Sequence, residues 1–180
     1  MLNDHRGPRV ASLATLLVAS VVATICVTSV AFATSNANAK VSTVFAPATS
    51  FRSHSAVSYD PRAVPVGSKV EVVEKPNDLG GVIVELSVWG MLPQTKYDAY
   101  VYTRPCGATP ASAGKRTQDG PSTQHYPQNE VWLNFSTSVH GVAHSSVDQY
   151  WRFASGQANS VALVSPSTRR VLACVTVPFK

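Results

Sequence analysis

Residues 85–107 read ELSVWGMLPQTKYDAYVYTRPCG: two strand patterns, a short connection carrying Gly90 and Pro93, and a cysteine at the end. In the first pattern, extended upstream to Val82, the residues Val82, Val84, Leu86 and Val88 share one face, and Glu85 and Ser87 take the other. That is the period-two signature of a half-buried strand. In the second, Ala99, Val101 and Thr103 fall on one face and Asp98, Tyr100 and Tyr102 on the opposite one, so both tyrosines point the same way. That shared face is the first place to look for a site.

Strand patterns continue on both sides. Residues 69–75 (KVEVVEK) alternate, and 76–81 (PNDLGG) turn the chain into the strand from Val82, which predicts a hairpin. Residues 107–129 form a long segment rich in Gly, Pro, Ser, Thr and Gln, the kind of long connection that is usually functional or disordered. Alternation resumes at 130–136, with Val131, Leu133 and Phe135 on one face, and 142–147 is expected to return as its partner after a turn at 138–141. An irregular connection at 148–156 carries Tyr150, Trp151 and Phe153. Residues 160–164 and 171–177 complete the set. Seven or eight antiparallel strands with frequent turns and no long helix predict an all-β Greek-key barrel or sandwich.

The N-terminus has a different character. Arg6 and Arg9 precede a nearly uncharged apolar run, residues 10–33, followed by small-residue sites that a signal peptidase could cleave. Residues 1–39 therefore read as a signal peptide or membrane anchor, which places the protein outside the cytoplasm, secreted or attached to the envelope; this segment is the one expected membrane contact. Cys26 lacks the Leu at minus three and the small residue at minus one that a lipidation site would need. Residues 40–58, rich in Ser, Ala and Thr, read as a flexible linker. Residues 59–180 then form the folded domain.

With 180 residues, 44% of them hydrophobic, there is material for one core. The net charge of +5 is spread out; only Lys115-Arg116 and Arg169-Arg170 are adjacent among the basic residues considered for a patch, which argues against a nucleic-acid stripe. Removing Cys26 with the signal leaves Cys106 and Cys174, and two thiols in an exported domain are expected to form a structural disulfide worth on the order of 4 kcal/mol.

The order of 90–93 (GMLP), 97–107 (YDAYVYTRPCG), 135–143 (FSTSVHGVA), 158–164 (ANSVALV) and 171–177 (VLACVTV) resembles a copper-zinc superoxide dismutase domain of the exported actinobacterial type over roughly residues 59–179. The resemblance implies a Greek-key barrel and a Cys106–Cys174 bridge. It also implies that Tyr100, Tyr102 and Val164 stand at copper-ligand positions, where the family carries histidine. The family's metals are held largely by histidine, and after the signal only His54, His125, His140 and His144 remain. His125 is the one candidate relic ligand, with Glu130 or Asp119 as partners, in a shortened loop. Val171 stands where the active family places its arginine before the second cysteine.

These features predict a non-catalytic superoxide dismutase-like domain with a binding or structural role and no cofactor; copper and zinc enter only if the resemblance extends to function. Partners left open are an envelope or extracellular molecule and a second copy of the chain. One alternative is a dismutase with an unconventional copper site through His125. The other is a fibronectin-III-like binding module, because 90–93 followed by Tyr97 also resembles the turn and tyrosine corner of that fold.

Overall fold

A computed structural model of the chain describes residues 37–51 and 56–180. The apolar run, Cys26 and His54 lie outside the described residues, and so does nearly all of the expected signal or anchor. Among the described residues no helix is long and apolar enough to cross a membrane.

Among the described residues nine strands form one nearly closed, barrel-like sheet. They are β1 (Ala39–Pro47), β2 (Ala56–Ser58), β3 (Lys69–Pro76), β4 (Val82–Trp89), β5 (Lys96–Tyr102), β6 (Phe135–Ser136), β7 (Ala143–Gln149), β8 (Ser160–Val164) and β9 (Val171–Thr176), in the spatial order β6-β5-β8-β9-β2-β1-β3-β4-β7. β3 and β4 form the expected hairpin, and Asn77 Oδ1 closes its turn by accepting from the backbone N–H groups of Leu79 and Gly81. β4 alternates as its sequence requires: Val82, Val84, Leu86 and Val88 are buried, while Ile83, Glu85, Ser87 and Trp89 are half-buried. Full burial of one such aliphatic side chain contributes roughly 1.5 to 3 kcal/mol. These four meet Tyr97, Ala99 and Val101 of β5, Val161 and Leu163 of β8, and Val131, Leu133 and Phe153 in a single core. The chain between β4 and β5 therefore crosses from one half of the barrel to the other.

Three sequence expectations need correction. The expected linker at 40–58 contains two strands of the barrel, β1 and β2, and Ala39, at the end of the expected leader, is the first residue of β1. β1 runs antiparallel to β3 from Ala39 to Val44, then parallel to β2 from Phe45 to Pro47, and so ties the two halves of the sheet together. Ala39 and Phe45 are its core residues and Val41 packs against the same core, and the ladder to β3 fixes its place in a stretch whose Ser, Ala and Thr content suggests coil. The second correction concerns 130–136 and 142–147, which do not pair as a hairpin ladder. β6 is only two residues long and pairs with β5, whereas β7 pairs with β4. The tight turn survives, with the Ser138 N–H donating to Val142 O. The third is the direction of one pair: among the described residues there are nine strands, and the β1–β2 pair is parallel rather than antiparallel.

The expected disulfide joins Cys106, just beyond β5, to Cys174 in β9. Around it Val57, Ala113, Ala162 and the half-buried Tyr102 form a second, smaller core on the outer side of the sheet. Trp151 and Phe153 pack into the main core, while Tyr150 is exposed. His140 and His144 lie exposed at the β6–β7 turn and on β7, where His144 Nδ1 is 2.9 Å from Ser87 Oγ.

Candidate functional site under the long loop

β5 has β8 on one side, and the other side is built by segments that the sequence pattern left irregular. Near its C-terminal end the loop returns antiparallel, with Thr103 N–H donating to Lys115 O and Thr117 N–H to Val101 O. Further along the same edge, Leu133 N–H donates to Ala99 O, and Asn134 Oδ1 accepts from Ala99 N–H. These pairings place Arg116 opposite Tyr102 and Trp132 opposite Tyr100. Directly opposed residues project to the same face of a sheet. Four side chains are thereby gathered on the outer face: two phenols, one indole and one guanidinium.

Gly114 makes this return possible. Its φ of 81° lies in the left-handed region, and a Cβ there would stand 2.7 Å from Thr103 Oγ1. Gly114→Ala is therefore expected to cost more than about 1 kcal/mol and to loosen Lys115 and Arg116. Denaturant unfolding, together with faster amide exchange at Thr103 and Thr117, would check this.

Tyr100 is 2% exposed. The Trp132 ring meets it edge-on with centroids 5.7 Å apart, and the Arg116 guanidinium carbon lies 3.6 Å from its ring centre. Burial pushes its hydroxyl above the ordinary tyrosine range, against the opposing pull of Arg116. Tyr102 is pushed up in the same way, again with Arg116 opposing. Val164 pairs with Asp98 across β5 and β8 and is buried. The register puts Tyr100, Tyr102 and Val164 on one face.

Below the loop lies a buried carboxylate with four donors. Glu130 is 1% exposed; its Oε2 accepts from Trp132 Nε1 at 2.8 Å and Arg116 Nη1 at 3.2 Å, and its Oε1 accepts from Gln118 Nε2 at 3.3 Å. His125 Nδ1 makes a further contact with Oε1. Burial alone would raise the Glu130 carboxyl, but hydrogen bonds from His125 and Trp132 and the charge of Arg116 outweigh it and hold the group below the usual carboxylate range. Of the two carboxylates considered as partners for His125, the fold brings up Glu130 and leaves Asp119 exposed.

This donor set does not fit copper. A buried and a half-buried phenol, both pushed above the ordinary tyrosine range, disfavour the ionised form that would bind well, Val164 offers no donor atom, and a guanidinium cation already covers the Tyr100 ring. His125 and Glu130 are engaged with each other. Among the described residues no three His, Cys, Asp or Glu side chains converge as a metal cluster would require.

Sequence reasoning missed Arg116 and Arg169 as site residues. The two basic doublets were visible, but nothing local shows that they meet. Lys115 and Arg116 from the loop and Arg169 from the β8–β9 turn line one groove with Tyr102 and His125. No protein-family model matches this chain, and no curated protein matches it.

Proposed function

We propose that this chain is an exported, non-catalytic relative of the copper-zinc superoxide dismutases, with a binding role at the cell envelope. The observation that carries the reading is the closure of the Tyr100 position: its ring is held between Trp132 and Arg116, at a place where the resembled family needs an open imidazole. Dismutation requires a metal that alternates between oxidation states in a set of ligands suited to both, and the side chains at Tyr100, Tyr102 and Val164 do not supply one. The Cys106–Cys174 bridge supports an oxidising compartment, in keeping with the leader-like N-terminus.

The unconventional copper site through His125 has less support, because its Nδ1 faces a carboxylate already shared with three other donors. The fibronectin-like alternative is disfavoured by the nine-stranded, nearly closed sheet and by a bridge from the loop after β5 to the last strand.

Metal analysis and a dismutase assay on the exported protein test the proposal, and stoichiometric copper with turnover would overturn it. A stricter test restores imidazoles. Tyr100→His with Tyr102→His is expected to lose about 2 kcal/mol of stability as two packed rings are replaced, to hold copper weakly if at all, and to show no turnover. Tight copper and measurable activity in that variant would mean that the site had stayed open.

A further inference from the structure

The groove over Tyr102 has a volume of about 530 Å³, and its charged lining is of one sign: Lys115, Arg116 and Arg169, with His125 beside them and no carboxylate. The acidic groups of the region sit behind the cations. Glu130 holds Arg116 through Nη1 at 3.2 Å, and Asp98 holds Arg169 through Nη1 at 3.1 Å. Each carboxylate engages a single guanidinium nitrogen, which leaves the other donors of both forks without a carboxylate partner among the described residues. Arg116 is further fixed by its stack on Tyr100, and its side chain is only 17% exposed. A guanidinium held in place this way has lost most of its rotamer freedom before any ligand arrives, so little more is lost on binding.

Arg169 adds an independent sign. It is one of two described non-glycine residues with φ in the left-handed region, at 59°, in the turn closed by its own N–H to Ser165 O and by Ser165 N–H to Arg170 O. A conformation that glycine would adopt more readily is occupied here by a residue whose guanidinium reaches Asp98.

We propose that this groove binds a phosphate-ester group of an extracytoplasmic ligand. Cations reach it from different segments, the loop strand carrying Lys115 and Arg116 and the β8–β9 turn carrying Arg169. A tetrahedral oxyanion accepts hydrogen bonds from several directions at once, whereas a planar carboxylate is satisfied by one fork. Tyr102 and Gln118 add neutral polar groups to the lining, and the groove is large enough for part of the esterified body as well as the phosphate. The inference deepens the binding role proposed above and rests on it.

The test is titration of the exported protein, followed by amide chemical shifts, with inorganic phosphate, glycerol 3-phosphate, phosphatidylglycerol vesicles and, as a carboxylate comparator, glucuronate. Shifts from the phosphate probes are expected to centre on residues 114–118 and 168–170 and to weaken as salt is raised. Phosphate or glycerol phosphate binding in the groove identifies a soluble ester as the source, and groove-dependent binding to vesicles alone identifies a lipid headgroup; either supports the proposal. Arg116→Lys keeps a charge beside Glu130 but removes the fork, and is expected to weaken binding about tenfold. Because Arg116 also braces the loop, the exposed pair Lys115→Gln with Arg169→Gln serves as a second variant and should weaken binding at least as much while the amide spectrum stays native. Arg62→Gln, outside the groove, should leave affinity unchanged. Glucuronate binding as tightly as glycerol phosphate, equal loss in Arg62→Gln, or no shift with any phosphate probe would overturn the proposal. Metal analysis of the same sample keeps the two readings apart: bound, active copper counts against the non-catalytic assignment, whereas absent phosphate binding counts against the groove.

Discussion

Replacing Cys106 or Cys174 by serine is expected to lower the unfolding free energy by about 2 to 5 kcal/mol, the largest effect of any single substitution considered. The bridge spans 68 positions, and by the chain-entropy argument an unfolded chain without that constraint gains freedom on the order of 4 kcal/mol. The native side of the balance points the same way. Cys174 is fully buried and Cys106 nearly so. The segment entering Cys106 is pinned by Ser160 Oγ donating to Arg104 O and by Cys106 N–H donating to Thr176 Oγ1, while Tyr59 Oη donates to Gly107 O just beyond. Loss of the bridge therefore releases the start of the loop that carries Lys115 and Arg116. Urea unfolding of each serine variant, compared with the reduced parent protein, measures this. The variants and the reduced parent should agree closely, and mass spectrometry that found both thiols free in the exported protein would remove the basis of the prediction.

Glu130→Ala is expected to cost about 3 kcal/mol, because removing one partner of a buried ion pair leaves the other uncompensated. Here the loss also strips Trp132 Nε1 of its acceptor and leaves Gln118 Nε2 with Gln124 O alone. The figure sits at the low end of the usual range because Arg116 retains contact with water through the groove. Glu130→Gln keeps the shape and one acceptor oxygen and should cost less.

The pH dependence separates the charge from the packing. A carboxyl held below its ordinary value in the folded state contributes stability that is fully present above the ordinary carboxylate range, and that contribution is lost as pH falls through the folded value. Stability of the parent measured from pH 7 down to about 2 should therefore fall more steeply below the ordinary glutamate value of about 4.3 than that of Glu130→Gln. Glu74 works in the opposite sense. It is buried with Oε1 unpartnered, and burial pushes its carboxyl up despite the Lys180 N–H donating to Oε2. Its contribution declines as pH rises through the range above the ordinary value, and because it is common to both proteins the difference between their profiles isolates Glu130. Parallel acid limbs would show that Glu130 carries no net favourable charge interaction.

Much of the barrel was legible because burial on one face of a strand writes itself into the sequence at period two. Val82, Val84, Leu86 and Val88 need nothing beyond their own spacing to be read as a core face, and the 76–81 turn needs only Asn77 and its glycines. The two tyrosines of β5 were likewise assigned to one face before any partner was known. β1 was missed although Ala39, Val41 and Phe45 share one face, because its Ser-, Ala- and Thr-rich surroundings read as coil and its place is set by pairing with β3 and β2, both separate segments. The expected pairing of 130–136 with 142–147 failed for a related reason. Adjacency along the chain suggests a hairpin, but the free edges of β5 and β4 offered each segment a longer or better-buried partner.

For the candidate site the division is sharper. The sequence by itself determined the all-β class, the core faces of β4 and β5, the two thiols left to pair, and the presence of Tyr100, Tyr102 and Val164 where no imidazole stands. These are properties of a residue and its near neighbours, or of simple counts. Only the tertiary structure decided that Glu130 gathers Arg116, Trp132, Gln118 and His125, and that Arg169 comes to the groove of Lys115 and Arg116 from the far side of β8. Those contacts depend on the register of β5 against both its neighbours and on the left-handed turn at Gly114. Register is a relation between segments distant along the chain, set by the packing of all the strands together, and no local period encodes it.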